Sequence, residues 1–282
     1  MPLLDGAQAP QLALRDLVAA ALAQVQSNLA GTLDGRDEEF LHQLRVGLRR
    51  LRVALAMSLK LTRDVELAAL HEEVAELCIA LGSLREWDVF VTDVLQPLAE
   101  APGADMQDLL RQAESRRSEL GAALRERLSG PALQRLLLRF GIWMFGAHDG
   151  ADGRSLRDFA VRMLDRRSRQ VARCAKSLPT GEPEALHELR IACKKLRYSA
   201  EMFASLFDAA RSVAHIEALA GLQDVLGALN DGAVAHRLLG ELAATDAAAT
   251  RVVASLAAGR EQSMRRLGKK WKRFAASPPF WR

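Results

Sequence analysis

Residues 186–198 read Leu186-His187-Glu188-Leu189-Arg190-Ile191-Ala192-Cys193-Lys194-Lys195-Leu196-Arg197-Tyr198. A relative of this stretch lies upstream, where Leu41-His42-Gln43-Leu44-Arg45 is followed by Arg49-Arg50-Leu51-Arg52. His187 stands 145 residues beyond His42, and Leu226-Gly227-Ala228-Leu229 stands 145 beyond Leu81-Gly82-Ser83-Leu84. Leu14-Arg15-Asp16 returns as Leu156-Arg157-Asp158 at a spacing of 142. A register held from His42 to Leu84 marks a duplicated unit, because chance likeness between Leu-rich helices drifts in phase. The change in spacing puts a small length difference in the connection between the first and second helices.

Both copies have helical periodicity. At ~100° per residue, Leu48, Leu51 and Leu55 fall within roughly 40° of Leu44 and form an apolar stripe. His42, Arg45, Arg49 and Arg52 fall between roughly 80° and 160° on the same wheel. The second copy repeats this with His187, Arg190, Lys194 and Arg197 beside Leu189, Cys193 and Leu196. Arg50 and Lys195 point toward the other border of the apolar stripe. Each basic stripe therefore borders the core, as side chains lining a groove between packed helices do. Over ten residues it extends ~15 Å, which suits a linear chain of phosphates better than one small anion. Arg offers planar bidentate donors to phosphate oxygens, Lys a compact charge, and His a further donor. A basic stripe on one helix is more often a solvated face with i,i+4 ion pairs. Here no acid lies between the basic residues on the stripe face in either copy, and Glu201, four residues after Arg197, could orient its guanidinium.

The rest of the chain also reads as helix. The pattern predicts helices over 11–33, ended by Gly31 and Gly35, then 37–61, 64–81, 87–98 and 105–128, with a turn at Ala101-Pro102-Gly103-Ala104. Asp37, Glu38 and Glu39 suit the positive start of the second helix. Ser129-Gly130-Pro131 is a stop and restart, with Pro131 at a first helical position. That next helix ends near Phe145, and Gly146 to Gly153 reads as a linker. Leu and Ala dominate, β-branched residues and aromatics are few, and the nine prolines sit mostly at the termini or between helical stretches. The chain is thus expected to be all-α.

Net charge is only +4, so affinity for a polyanion depends on where the 39 basic residues cluster. Cys78, Cys174 and Cys193 are odd in number and unevenly spaced, which predicts free thiols in a reducing compartment. No apolar run reaches the ~18 residues of a membrane span, and no signal-peptide layout opens the chain. A cytoplasmic protein with no membrane contact is expected.

The pattern His-x-x-Arg-x-x-x-Arg/Lys-Arg/Lys-x-Arg, present twice, resembles the CHAD family (conserved histidine α-helical domain). Leu186 to Tyr198 with Glu201 looks like that family's second motif, and Leu226-Gly227-Ala228-Leu229-Asn230-Asp231 like the segment that follows it. Arg85 to Asp88 resembles the equivalent segment of the first half. The resemblance runs roughly from Leu12 to Phe274. It implies two pseudo-symmetric helical bundles from an internal duplication, facing a central basic groove or pore, with halves at 1–148 and 149–282. It also implies binding of inorganic polyphosphate, in some members at polyphosphate granules. Carried over residue by residue, the binding positions are His42, Arg45, Arg49, Arg50 and Arg52, then His187, Arg190, Lys194, Lys195 and Arg197. The triphosphate-tunnel catalytic domain fused to some members is missing, so its hydrolytic activity is not implied.

Other features carry weaker readings. Arg162, Arg166, Arg169, Arg173 and Lys176 form a stripe that the first copy lacks, and Arg166, Arg169 and Arg173 are secondary candidates for polyphosphate. So are Lys269, Lys272 and Arg273, in a basic terminal helix that also holds Arg265, Arg266, Lys270, Trp271 and Phe274; the alternative is a docking helix with a solvated face. Pro278 to Trp281 reads as a tail that packs or lies disordered. Asp231 reads as the N-cap of a following Ala/Leu helix, with orientation of basic side chains as the alternative. Arg85 either joins the groove or pairs with Glu86 or Asp88. His71, His148, His215 and His236 read as surface or partly buried residues. A metal at His42 or His187 is disfavoured, because arginines occupy the places where further ligands would stand. No cofactor is expected. No Walker-type loop, Gly-x-Ser-x-Gly elbow or paired carboxylates accompany the stripe, so no enzyme is expected. Two rival readings are a nucleic-acid-binding module, weakened by 5% aromatics and no helix-turn-helix signal, and a phosphotransfer or phosphohydrolase enzyme, disfavoured by the missing motifs.

Overall fold

Prolines and glycines place the first boundaries. Pro10 opens helix α1 (Pro10–Asp34), and Gly35, at φ 72°, closes it by returning its N–H to the Gly31 carbonyl at 3.1 Å. Gly31 does not end the helix. A Cβ there would lie 2.3 Å from Cγ of Phe40, so this glycine makes room for an aromatic ring of the next helix.

A computed structural model of the protein describes residues 3–36, 38–100, 104–146 and 155–282. It is all-α, with no strand among the described residues. Helix α2 is Glu38–Ser58 and α3 is Val65–Val89. Helix α2 stops short of the predicted Leu61 because its end tightens, with Lys60 and Leu61 donating to Met57 and Ser58. Asp64 caps α3 by accepting from the Leu67 N–H at 3.0 Å. The two helices predicted over 64–98 are one run: α3 passes Gly82 unbroken, continues through a π-helical turn, Phe90–Leu95, and ends in the short α4 (Gln96–Ala99). The predicted turn at 101–103, most of the 146–153 linker, Asp37 and His148 lie outside the described residues.

Helices α5 (Ala104–Ser129) and α6 (Pro131–Phe145) meet at Gly130-Pro131, as predicted. Helix α7 (Leu156–Cys174) ends in a 3₁₀ segment, Ala175–Thr180, and α8 (Pro183–Phe203) in another, Ala204–Leu206. Helices α9 (Ala209–Leu239) and α10 (Asp246–Ala275) follow, with Thr245 capping α10. Helices α2 and α8 are each 21 residues long and share the register of the sequence repeat, 38 to 183 and 58 to 203.

The chain divides into two compact units. The first comprises 1–82, 122–164 and 198–208; the second comprises 83–121, 165–197 and 209–282. In the first unit α1 packs on α2, burying Leu14, Leu17, Val18 and Leu22 as well as the predicted stripe Leu44, Leu48, Leu51 and Leu55. Arg139 of α6 bonds both Glu66 and Glu73 of α3, which raises its already high pKa, and Trp143 donates to Asp64 at 2.8 Å. In the second unit Trp87, Phe90, Val91 and Leu95 pack with Met106, Leu109, Leu238 and Val252.

The C-terminal tail is packed, with Phe280 and Trp281 buried. Together with Phe274 of α10 they surround His215 of α9, at ring centroid distances of 5.3–5.7 Å. His215, read from sequence as a surface or partly buried residue, is buried, because the tail folds over it. Its Nδ1 lies 3.1 Å from the Ser277 hydroxyl. Burial lowers its pKa, against the opposing effect of hydrogen bonds with Pro278 and Ser277. Trp281 Nε1 and the Arg282 guanidinium both donate to one oxygen of Asp165 on α7, at 2.8 and 2.9 Å.

Candidate anion-binding site

In the first unit, Arg45, Arg49 and Arg52 project from α2 into the neighbourhood of Cys78 on α3. Burial raises the Cys78 pKa, while the positive charges of Arg52, Arg49 and Arg45 work to lower it. Three stripe cations thus act on the same thiol of α3. Arg49 also lies over the Tyr198 ring, 5.8 Å from its centroid. Tyr198 belongs to the second sequence motif yet falls in the first unit. Arg50 points elsewhere, as the helical wheel predicts. Its guanidinium donates to Gln24 of α1 at 2.8 Å, and the Gln24 amide donates to Gln43 at 2.9 Å. The structure therefore groups Arg50 with α1 and not with the other motif arginines. His42 is exposed on α2.

In the second unit, Arg190, Lys194 and Arg197 of α8 line one cavity of about 410 Å³ with Gln223, Asp224, Gly227, Ala228 and Asp231 of α9. Gly227 and Ala228 leave its wall low. Gln223 is 7% exposed, and its Nε2 is buried without a hydrogen-bond partner. In the 145-residue register Gln223 corresponds to Cys78, so the same position of the following helix meets the stripe in both copies. An orphan amide donor beside three cations is an arrangement that an oxyanion satisfies.

Asp231 is not an N-cap. Helix α9 runs through it from Ala209 to Leu239, with Leu226, Leu229 and Leu238 buried along its length. Asp231 instead borders the basic cavity, and the adjacent Asn230 accepts a hydrogen bond from His187 Nδ1 at 2.8 Å. Lys195 is exposed on α8. Burial of Cys193 behind the stripe pushes its thiol up to about 12, and all three cysteines are free thiols.

The secondary candidates are dispersed. Arg166, Arg169 and Arg173 are exposed on α7. Asp165 interrupts that stripe, and Arg169 contributes to its field. Burial alone would raise the Asp165 carboxyl, but the bonds from Trp281 and Arg282 and the charges of Arg282 and Arg169 hold it below the usual range. Arg173 is bonded to Gln170. Lys269, Lys272 and Arg273 are exposed near the end of α10, whereas Lys270 lies over Gly221 of α9. Among the described residues no group of three or more His, Cys, Asp or Glu side chains stands ready for a metal ion.

A family model, the CHAD domain, matches residues 16–240. The chain belongs to the CHAD family. Among solved structures, this CHAD protein is similar to the CHAD domain from the plant Ricinus communis, with 28% identity and a TM-score of 0.84 over 99% of this chain and 96% of that one. It also shares its fold with PptA from Streptomyces chartreusis, at 16% identity and a TM-score of 0.69, covering 94% of this chain and all of the other. Comparison with curated proteins gave no significant match. No described helix is long and apolar enough to cross a membrane.

Proposed function

We propose that this protein is a non-catalytic binder of inorganic polyphosphate. The observation that carries the reading is the α8–α9 cavity, where Arg190, Lys194 and Arg197 meet the unpartnered amide of Gln223. Its wall presents donors and positive charge in excess of its two carboxylates, so the complementary ligand is an oxyanion. The convergence of Arg45, Arg49 and Arg52 on Cys78 supplies a second basic site of the same design. Two such stripes suit a polymer of phosphates, and membership of the CHAD family agrees with that ligand. We assign the protein no catalytic role, an assignment that phosphate release from the polymer tests. Binding to polyphosphate granules, in the cytoplasm, is the setting in which a carrier of this kind would act.

The test is calorimetric titration with long-chain polyphosphate beside single-stranded DNA of equal charge, near physiological salt. Tight binding to polyphosphate with little to DNA is expected, and affinity should fall as salt rises because counterions are released. The double variant Arg45→Ala/Arg190→Ala should weaken binding at least tenfold, since each charge-assisted contact contributes about 1.5–3 kcal/mol. Unchanged affinity in a variant with normal circular dichroism would overturn the site. Equal binding of DNA would mean a generic polyanion surface, and phosphate release from the polymer would overturn the non-catalytic assignment.

A further inference from the structure

His187 does not stand alone. Its Nδ1 donates to Asn230 Oδ1 at 2.8 Å, and the Asn230 amide nitrogen in turn donates to Asp231 Oδ1 at 3.4 Å. The second bond fixes which end of the amide faces the imidazole. With the oxygen turned toward His187, Nδ1 must carry a hydrogen. A neutral imidazole has only one N–H, so Nε2 is then a bare lone pair. A lone pair repels a phosphate oxygen, and interior phosphates of a polymer carry no O–H near neutrality to offer it. His187 acquires an Nε2–H donor only by taking up a second proton.

The surroundings favour that step when an anion arrives. On α8, Glu184 precedes His187 by three residues, and Arg190 and Lys194 follow it by three and seven. From α9 come Asn230 and Asp231, with Asp224 further along the cavity. Arg260 of α10 reaches the Gly181 carbonyl just before α8 begins. A polyanion bound along the stripe would add negative charge beside the imidazole. The first copy lacks the device. The register positions of Asn230 and Asp231 are Arg85 and Glu86, and Glu86 is engaged with Arg237 at 2.7 Å.

We propose that His187 engages the polyanion only as an imidazolium, so that ligand binding at the α8 stripe is coupled to proton uptake, and that Asn230 is the positioning residue that enforces this. The inference rests on the polyphosphate reading and adds a proton to it. Polyphosphate binding is therefore tighter at about pH 6 than at about pH 8, beyond what salt and chain charge produce.

Calorimetry of the full chain with long-chain polyphosphate, in buffers of different ionisation enthalpy at one pH near neutrality, counts the protons taken up. Wild type is expected to take up a substantial fraction of one proton. His187→Gln should bind more weakly and lose that uptake. Asn230→Leu should lose most of it while still binding, because His187 is then free to present Nε2–H in its neutral form. Asn230→Asp, which keeps an acceptor, should retain it. A role that is merely structural would change affinity and leave the proton count alone. Binding without uptake in wild type, or equal uptake in His187→Gln, would overturn the coupling and leave the polyphosphate reading standing. Absence of binding would overturn both.

Discussion

At the scale of single residues, the most informative side chain outside the motif is Arg167. It lies on α7 between the buried Leu164 and Val171, on the face turned to the core. Burial, and then the neighbouring charge of Arg166, lower its pKa to about 10, and its Nε has no partner. At the 142-residue spacing of the first helix pair its counterpart is Val25, which is buried. A guanidinium here is an uncompensated charge, so Arg167→Val should stabilise the ligand-free protein by about 1 kcal/mol, or about 2–4 °C in melting temperature. A thermal melt that falls would show that Arg167 contributes packing or bonding that outweighs its charge. The basic stripes were legible in the sequence because charge and spacing lie on one helix. Gln223 was not, nor were the contacts of Tyr198 with Arg49 and of Asn230 with His187, because contact between helices leaves no periodic trace. The N-cap reading of Asp231 fails because an acid before an Ala/Leu run looks like a cap even where the helix began far upstream, here at Ala209.

At the scale of elements, the C-terminal tail acts as a clasp on the second unit. Trp281 is buried and bonded to Asp165, and Phe280 closes over His215. Trp281→Ala should cost about 3–5 kcal/mol, measured by chemical denaturation. The same clasp makes stability pH-dependent. Because the folded pKa of His215 is lowered, the unfolded chain binds a proton more readily. The stabilisation is complete above the ordinary imidazole value of about 6.5 and is lost as pH falls through the lower folded value. Asp165, also lowered, adds a further loss at more acidic pH. His215→Gln should flatten the first of these losses, and an unchanged slope between about pH 7 and about pH 5 would remove His215 as its cause. Most helices were legible from periodicity and from Gly35 and Pro131, but the π-helical and 3₁₀ segments and the continuity of α3 and α9 were not. Glycines inside helices were not. Gly31 and Gly82 look like stops, yet one admits Phe40 and the other stands where an added Cβ would meet nothing within 4 Å.

At the scale of the whole molecule, sequence order and spatial grouping differ. The sequence reading puts the boundary between halves near residue 148, whereas each compact unit takes segments from both sides of that point. The boundaries fall inside α3, α5, α7 and α8, so the two groupings share helices and not only loops. A fragment of residues 1–148 therefore lacks Leu156, Phe159, Phe203 and Leu206, all buried in the first unit. It should fail to give a cooperative thermal transition as a monomer, and a sharp transition from that fragment would show that the half folds by itself. The all-α class was legible from composition and period. The interleaving was not, since it depends on which segments pack together over distances of 100 residues or more.

That interleaving has a consequence for synthesis. The last piece of the first unit is Tyr198–Asp208, and the last of the second reaches the C-terminus. On the ribosome, α1 and α2 emerge early with their apolar stripes formed, but the Phe159–Phe203 contact must wait for the second motif to be translated. Until then α1 and α2 have each other, but the rest of the first unit lacks its last segment. Holdase chaperones that bind exposed apolar helix faces would find their substrate in this interval, and a translational pause placed before residue 208 would lengthen it.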